Sequence, residues 1–185
     1  MEGAHQIATG NLVSLSEQQF VDCDFGLTKN LGCHGGIMDK AFTYAETTAI
    51  ETEADYPYTA KKGTCVADTS KELVNVTSFS DVTPNSADAL KSQLEKGPVS
   101  VAIQANKPVF QLYKDGVITS TKCGTKLDHG VLAVGWGVDS TDGPYYIVKN
   151  SWGESWGMSG YVNIGIVDGE GICGIQMEPS QPVCT

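Results

Sequence analysis

The sequence has no run approaching the ~18 apolar residues that a membrane-spanning helix requires. It is poor in basic residues: 12 Lys and Arg stand against 22 Asp and Glu, for a net charge of −10. Those basic residues are scattered and mostly single, so no stripe exists to track phosphates. Nucleic acid and anionic membranes are therefore excluded as expected partners. No two cysteines stand at C-x-x-C spacing, and the nearest cluster of soft ligands, Cys33-His34, has no second half. Structural zinc sites draw their ligands from such close pairs, so no metal and no cofactor is expected. A secretory signal is also missing: "MEGAHQIATG" has neither a charged start nor an apolar stretch.

What is present points elsewhere. Six dispersed cysteines, Cys23, Cys33, Cys65, Cys123, Cys173 and Cys184, fit disulfides formed in an oxidising compartment. "NVT", Asn75 to Thr77, is an N-glycosylation acceptor pattern and agrees. Such a chain without a signal is a contradiction. Either the signal has been removed or residue 1 is not the natural start. The acidity has two readings: solubility alone, or an acidic compartment where carboxylates are partly protonated.

The texture of the chain changes along its length. Met1, Ala4, Ile7 and Ala8 keep helical spacing, with Gly10 as C-cap. Ser14 and Glu17 in "SLSEQQFVDC" form a capping box that starts a short helix toward Cys23. Residues 35–49 predict a third helix with Ile37, Ala41, Tyr44 and Ala45 inward, and 55–65 read as a turn-rich loop. After a short helix at 86–95, strand signals follow at 99–105, 130–136, 144–150 and 160–166, with Gly and Pro between them. The expectation is an α+β protein of two lobes, a helical one over 1–80 and a β-rich one over 81–185.

Two polar residues stand out in the β-rich half. His129 lies in "KLDHGVLAVGWG" and Asn150 in "VKNSWGESWG". A lone histidine among apolar residues is more often packed than reactive. It becomes a base when a nucleophile lies on one ring nitrogen and an orienting acceptor on the other. Asn150 could be that acceptor, with Trp152 excluding water from the bond.

The stretches "LDHGVLAVGWG", "YYIVKNSWGESWGMSGYVNI", "SLSEQQFVDCD" and "GCHGG" together resemble the papain-like cysteine proteases, of the cathepsin L-like kind. All stand in family order from Met1 to the tail. The resemblance implies a two-lobe fold, a helical left lobe and an antiparallel β-barrel right lobe, with the active-site cleft between them. It implies that His129 pairs with a thiolate and that Asn150 orients it. Gly35 and Gly36 match the substrate-binding backbone, and Trp152 and Trp156 the aromatic wall on the leaving-group side. Ile37, Met38, Ala102, Leu127 and Gly130 match the pocket for the substrate residue two before the scissile bond. Asp128 joins these as a substrate-binding position, and Glu178 matches the pocket floor. Glu178 is read either as a counter-ion for arginine or as a solvated surface glutamate. Small departures are His34 where asparagine is common and Gly130 where alanine is common.

The family's nucleophilic cysteine opens the long helix of the first lobe, and an oxyanion-hole glutamine precedes it. Neither is in this sequence, which resembles the family from roughly nine residues after the nucleophile. The family pairs Cys23 with Cys65 and Cys123 with Cys173. It leaves Cys33 an orphan whose partner lies before the nucleophile, and gives Cys184 no partner. The expected function is thus thiol endopeptidase action on peptides and proteins, with a propeptide and cystatin-type inhibitors as family partners. A monomer in a lysosome, a vacuole or outside the cell is expected. The 185 residues alone are expected to be inactive. The alternative is a non-catalytic homologue that keeps the cleft and binds peptides or protein partners. A storage role has only the acidity behind it.

Overall fold

The computed structural model describes residues 1–26 and 29–185. The chain divides into two compact units. One comprises Met1–Ser80 with Pro182–Thr185, the other Asp81–Gln181. The boundary therefore falls near residue 80, but the last four residues belong with the first unit rather than the second.

The first unit is mainly helical. Helix α1 (Glu2–Thr9) ends at Gly10, whose φ of 82° supplies the left-handed C-cap. Helix α2 (Glu17–Cys23) starts at Ser16, not at the Ser14 box. Ser16 Oγ accepts the Gln19 amide at 2.9 Å, a cap contributing about 1 kcal/mol. Ser14 instead accepts the Glu53 amide through its carbonyl. Helix α3 (Met38–Thr47) buries Phe42, Tyr44 and Ala45. Ile37 precedes its first turn and is half exposed, so it does not face the core as the periodicity predicted. The core of this unit gathers Leu15, Phe42, Ala45, Ile50, Val74, Val76 and the buried Cys184.

The turn-rich stretch at 55–65 is fixed by polar contacts to α2 rather than by secondary structure. Gln18 Nε2 donates to the Lys61 carbonyl at 2.8 Å, and Gln18 Oε1 accepts the Thr59 amide. The buried Asp22 accepts from the Gly63 amide at 2.5 Å, the Tyr56 hydroxyl at 2.9 Å and Gln18 Nε2 at 2.9 Å. A disulfide joins the next residue, Cys23, to Cys65. Burial alone would raise the Asp22 carboxyl, but these three donors outweigh it and hold it below its ordinary value. A depressed carboxyl contributes stability above its unfolded-state pKa and loses it as pH falls through the folded value. Asp22→Asn is thus expected to lower stability at pH 7 by about 2 kcal/mol, the scale of a hydrogen bond to a charged group. The two proteins should converge in acid. Urea midpoints measured across pH check this, and a difference independent of pH would refute the charge argument.

The second unit is built on strands. Leading into it is β1 (Val76–Asp81), then α4 (Ala87–Leu94), capped by Ser86 Oγ accepting the Ala89 amide. There follow β2 (Val99–Ile103), α5 (Pro108–Gln111), β3 (Val117–Ile118), β4 (His129–Asp139), β5 (Gly143–Lys149), β6 (Tyr161–Gly165) and β7 (Ser180–Cys184). The order in the sheet is β1-β7-β2-β4-β5-β6-β3. This is an open sheet rather than a closed barrel. Its last strand, β3, is two residues long, pairs parallel to β6 and has no strand on its other side among the described residues.

Strand β2 shows a clean period of two, with Val99, Val101 and Ile103 fully buried. Each such side chain contributes roughly 1.5–3 kcal/mol by leaving water. With Leu90, Phe110, Tyr146, Val148, Val162 and Ile164 they form the core. The Cys123–Cys173 disulfide lies inside that core, both cysteines being buried. No helix among the described residues is long and apolar enough to cross a membrane. No metal-binding group of three or more His, Cys, Asp or Glu occurs among them.

Candidate functional site

His129 is the first residue of β4 and sits opposite Ile103 of β2. Asn150 follows the last residue of β5, and its amide donates to the Gly160 carbonyl at 2.9 Å. Because β4 and β5 are antiparallel neighbours, with Leu132 opposite Lys149, the start of one meets the end of the other. That brings together two side chains 21 positions apart. His129 Nε2 lies 2.8 Å from Asn150 Oδ1.

The direction of this bond follows from a second one. The Ser151 backbone amide lies 2.8 Å from the same Asn150 Oδ1. A backbone N–H only donates, so the atom it meets must be the amide oxygen. That oxygen then accepts from His129, and Nε2 must carry the hydrogen. The neutral ring keeps its lone pair on Nδ1, the nitrogen facing away from Asn150. Asn150 is 8% exposed, so the bond is made largely out of water, where it is stronger. Its Nδ2 is buried and has no partner among the described residues. Turning the amide over would set that Nδ2 against the Ser151 N–H, a worse arrangement.

Trp152 stacks on the imidazole, with ring centroids 5.2 Å apart and planes inclined by 29°. It is held in turn by Phe110, edge-on at 5.4 Å, and by Trp156 at 5.3 Å. Phe110 also meets Trp156 at 5.0 Å, and Trp156 Nε1 donates to the Gln111 carbonyl at 3.1 Å. Aromatic pairs in this geometry add about 0.5–1.5 kcal/mol each beyond burial, so the imidazole is backed by a stiff shelf. Trp152 and Trp156 stand in the motifs quoted above, whereas Phe110 does not. It lies on a four-residue helix some forty positions earlier, with no local signal of its role.

The other candidates of this unit are placed as follows. Ala102 is opposite Gly130 in the β2–β4 ladder, and a Cβ added at Gly130 would meet nothing within 4 Å. Leu127 lies over Gly174, whose added Cβ would come within 2.8 Å of its side chain. Asp128 Oδ1 accepts the Ala105 amide at 2.6 Å, so one carboxylate oxygen is spent on pinning the chain just before His129. Glu178 is exposed and has no ion pair among the described residues.

Gly35, Gly36, Ile37 and Met38 belong to the first unit. Gly35 has a φ of 105°, which favours glycine. Gly36 is needed for space instead: an added Cβ would lie 2.5 Å from Asn30 Oδ1. That oxygen already accepts the Ile37 amide at 2.7 Å, while Asn30 Nδ2 donates to the buried Asp24 at 2.6 Å. Asn30 therefore shapes the glycine pair, a role with no signal in the neighbouring sequence. Met38 opens α3 and packs against the core of its unit. Cys33 is exposed and Cys184 buried, and both are free thiols.

Residues 1–183 match the family described as papain family cysteine protease. The chain is 47% identical over 188 residues to the thiol protease SEN102 of Hemerocallis sp., covering 100% of this chain and 51% of that protein. It is 49% identical over 189 residues to vignain of Ricinus communis, covering 99% and 51%. The Amb a 11 cysteine protease of ragweed pollen, solved in its proform, superposes with a TM-score of 0.92 at 40% identity, over 98% of this chain and 55% of that one. Bromelain from Ananas comosus, solved in complex with the E64 inhibitor, gives 0.88 at 39% identity, over 98% and 83%. The chain spans about half the length of the curated relatives it matches.

Proposed function

This chain belongs to the papain family of cysteine proteases, and on that premise we propose that the whole protein is a cysteine endopeptidase working through a Cys-His-Asn mechanism. The observation that carries the reading is the His129–Asn150 bond, because its direction leaves Nδ1 ready to take a proton. The nucleophile is a cysteine supplied from outside these 185 residues. His129 Nδ1 takes the thiol proton, and the thiolate attacks the scissile carbonyl carbon. The C–S bond forms, and His129 returns the proton to the leaving amine as the C–N bond breaks. Water, deprotonated by the same nitrogen, then attacks the thioester and regenerates the thiolate. Without the thiol no covalent intermediate forms, so the 185 residues alone hydrolyse no peptide.

In this reading Trp152 keeps water from the His129–Asn150 bond, and Trp156 supports the leaving-group side. Gly35 and Gly36 offer backbone to an extended peptide. Ile37, Met38, Ala102, Leu127, Asp128 and Gly130 contact the substrate, with an apolar preference two residues before the scissile bond. The exposed Glu178 adds a counter-ion for arginine there. A propeptide and E-64-type or cystatin-type inhibitors are the partners, since relatives of this fold are solved as a proform and with E-64. A monomer in a vacuole, lysosome or extracellular space fits the two disulfides.

Full-length protein offered Phe-Arg and Arg-Arg fluorogenic peptides tests both levels. Cleavage of Phe-Arg is the expected result, and its absence at any enzyme concentration favours a non-catalytic peptide binder. Glu178→Ala should lower kcat/KM for Arg-Arg by roughly fivefold, the value of one exposed charge pair at its upper end, and leave Phe-Arg unchanged. Equal effects on both peptides would remove Glu178 from the pocket.

A further inference from the structure

The only N-x-S/T triplet in the sequence, Asn75-Val76-Thr77, has no part in the site above. Val74 and Val76 are buried, at 0% and 2% exposure. Alternate side chains in an extended segment point to opposite faces, so Asn75 and Thr77 share the other face. Thr77 is exposed and Asn75 partly so. The Asn75 side-chain amide makes no hydrogen bond among the described residues. The segment leads into β1, an edge strand of the sheet, with β7 on its inner side. There the triplet is engaged: Thr77 Oγ1 donates to the Val183 carbonyl at 3.2 Å, and the Asn75 carbonyl accepts the Thr185 amide at 3.3 Å.

We propose that Asn75 is an N-glycosylation site, modified while the chain is being made and closed to modification once β7 has paired with β1. Two disulfides assign folding to an oxidising compartment, where lipid-linked oligosaccharide is the glycosyl donor. Asn75 Nδ2 attacks the anomeric carbon of a polyprenyl-diphosphate oligosaccharide. The new N–C bond replaces the C–O bond to the diphosphate, which leaves with its electron pair, and the amide loses one proton. The transferase must reach the hydroxyl of the triplet as well as the amide. In the folded chain that hydroxyl is bound to Val183, which lies 106 residues further on. At about 5–20 residues per second of synthesis, that separation leaves roughly 5–20 s before the partner exists. The sugar then stands where the chain leaves its bridge to Ile50 and enters β1, whose outer side has no strand among the described residues, and it obstructs strand addition there.

The test is expression of the full-length protein in a eukaryotic secretory host. Peptide N-glycosidase in ¹⁸O-water converts a glycosylated asparagine to labelled aspartate, read by peptide mass. Label at residue 75 is expected in the wild type and in Thr77→Ser, which keeps the acceptor pattern, and not in Asn75→Gln. A wild-type peptide recovered only as unlabelled Asn75 overturns the site. If Asn75→Gln is not secreted, the wild type and Thr77→Ser decide alone. Microsomes then test the timing: chains translated into them should be modified, and purified folded protein added to them should not. Equal modification of both would overturn the closure by β7.

Discussion

In the full-length protein, His129→Ala is expected to lower kcat/KM for a peptide substrate by about 10⁶-fold, the scale on which an acyl-transfer triad fails when its histidine is lost. Two losses combine. The thiol has no base to ionise it, and the amine leaving group has no acid to protonate it. The side chain sits at the first position of β4, partly exposed and outside the core, so the fold should survive. A second readout separates chemistry from structure. With the imidazole, an epoxide inhibitor of the E-64 type should alkylate the nucleophile well below neutral pH. Without it the thiol titrates near the ordinary ~8.5, and the alkylation rate should climb through that range. Asn150→Ala should fall between the two, because Trp152 still stacks on the ring while the tautomer is no longer fixed. If His129→Ala kept kcat/KM within tenfold of wild type, the assignment of His129 as base and acid would be wrong.

The second large effect concerns stability. Replacing Cys123 and Cys173 together by alanine is expected to cost about 4 kcal/mol, the chain-entropy value for a loop of 50 residues. Typical domains have only about 5–15 kcal/mol in all, so this should lower the urea midpoint by roughly a quarter or more. The Cys23–Cys65 loop spans 42 residues and carries a similar entropic value in the same estimate. The two bonds differ in access. Cys123 and Cys173 are buried, whereas Cys65 is exposed and Cys23 only partly covered. Dithiothreitol should therefore open Cys23–Cys65 first, and alkylation followed by peptide mass should find Cys23 and Cys65 labelled before the other pair. An unchanged midpoint in the double alanine variant, or the reverse order of reduction, would contradict this.

The pairing of His129 with Asn150 is legible because both residues sit in long, specific motifs, and strand periodicity puts each near the end of a β-strand. The open amide of Ser151, which decides the direction of the central bond, has no signature in the letters. Any residue but proline could supply it. Phe110 was illegible for a different reason: it reaches Trp152 and Trp156 only through the folding of the sheet. At the start of α2 the pattern itself was ambiguous. Ser14-x-x-Glu17 and Ser16-x-x-Gln19 are both boxes, and the pairing of Ser16 N with the Glu51 carbonyl selects the second. The periodicity points Ile37 inward only for a helix beginning at residue 35; α3 begins at Met38, and periodicity extrapolated past a helix end carries no information. The strands β1 and β7 were missed since each depends on the other, far away in sequence.

The closeness of Gly36 to Asn30 also constrains how this loop can evolve. With Asn30 in place, alanine at 36 would need to occupy space 2.5 Å from an amide oxygen that is already committed to the Ile37 amide. With a smaller residue at 30 the space opens, but the Ile37 amide and Asp24 each lose a partner. Neither single step is neutral, and only one order of substitution avoids a steric collision. Positions 30 and 36 are therefore sterically coupled, and a change at one alters what the other can accept.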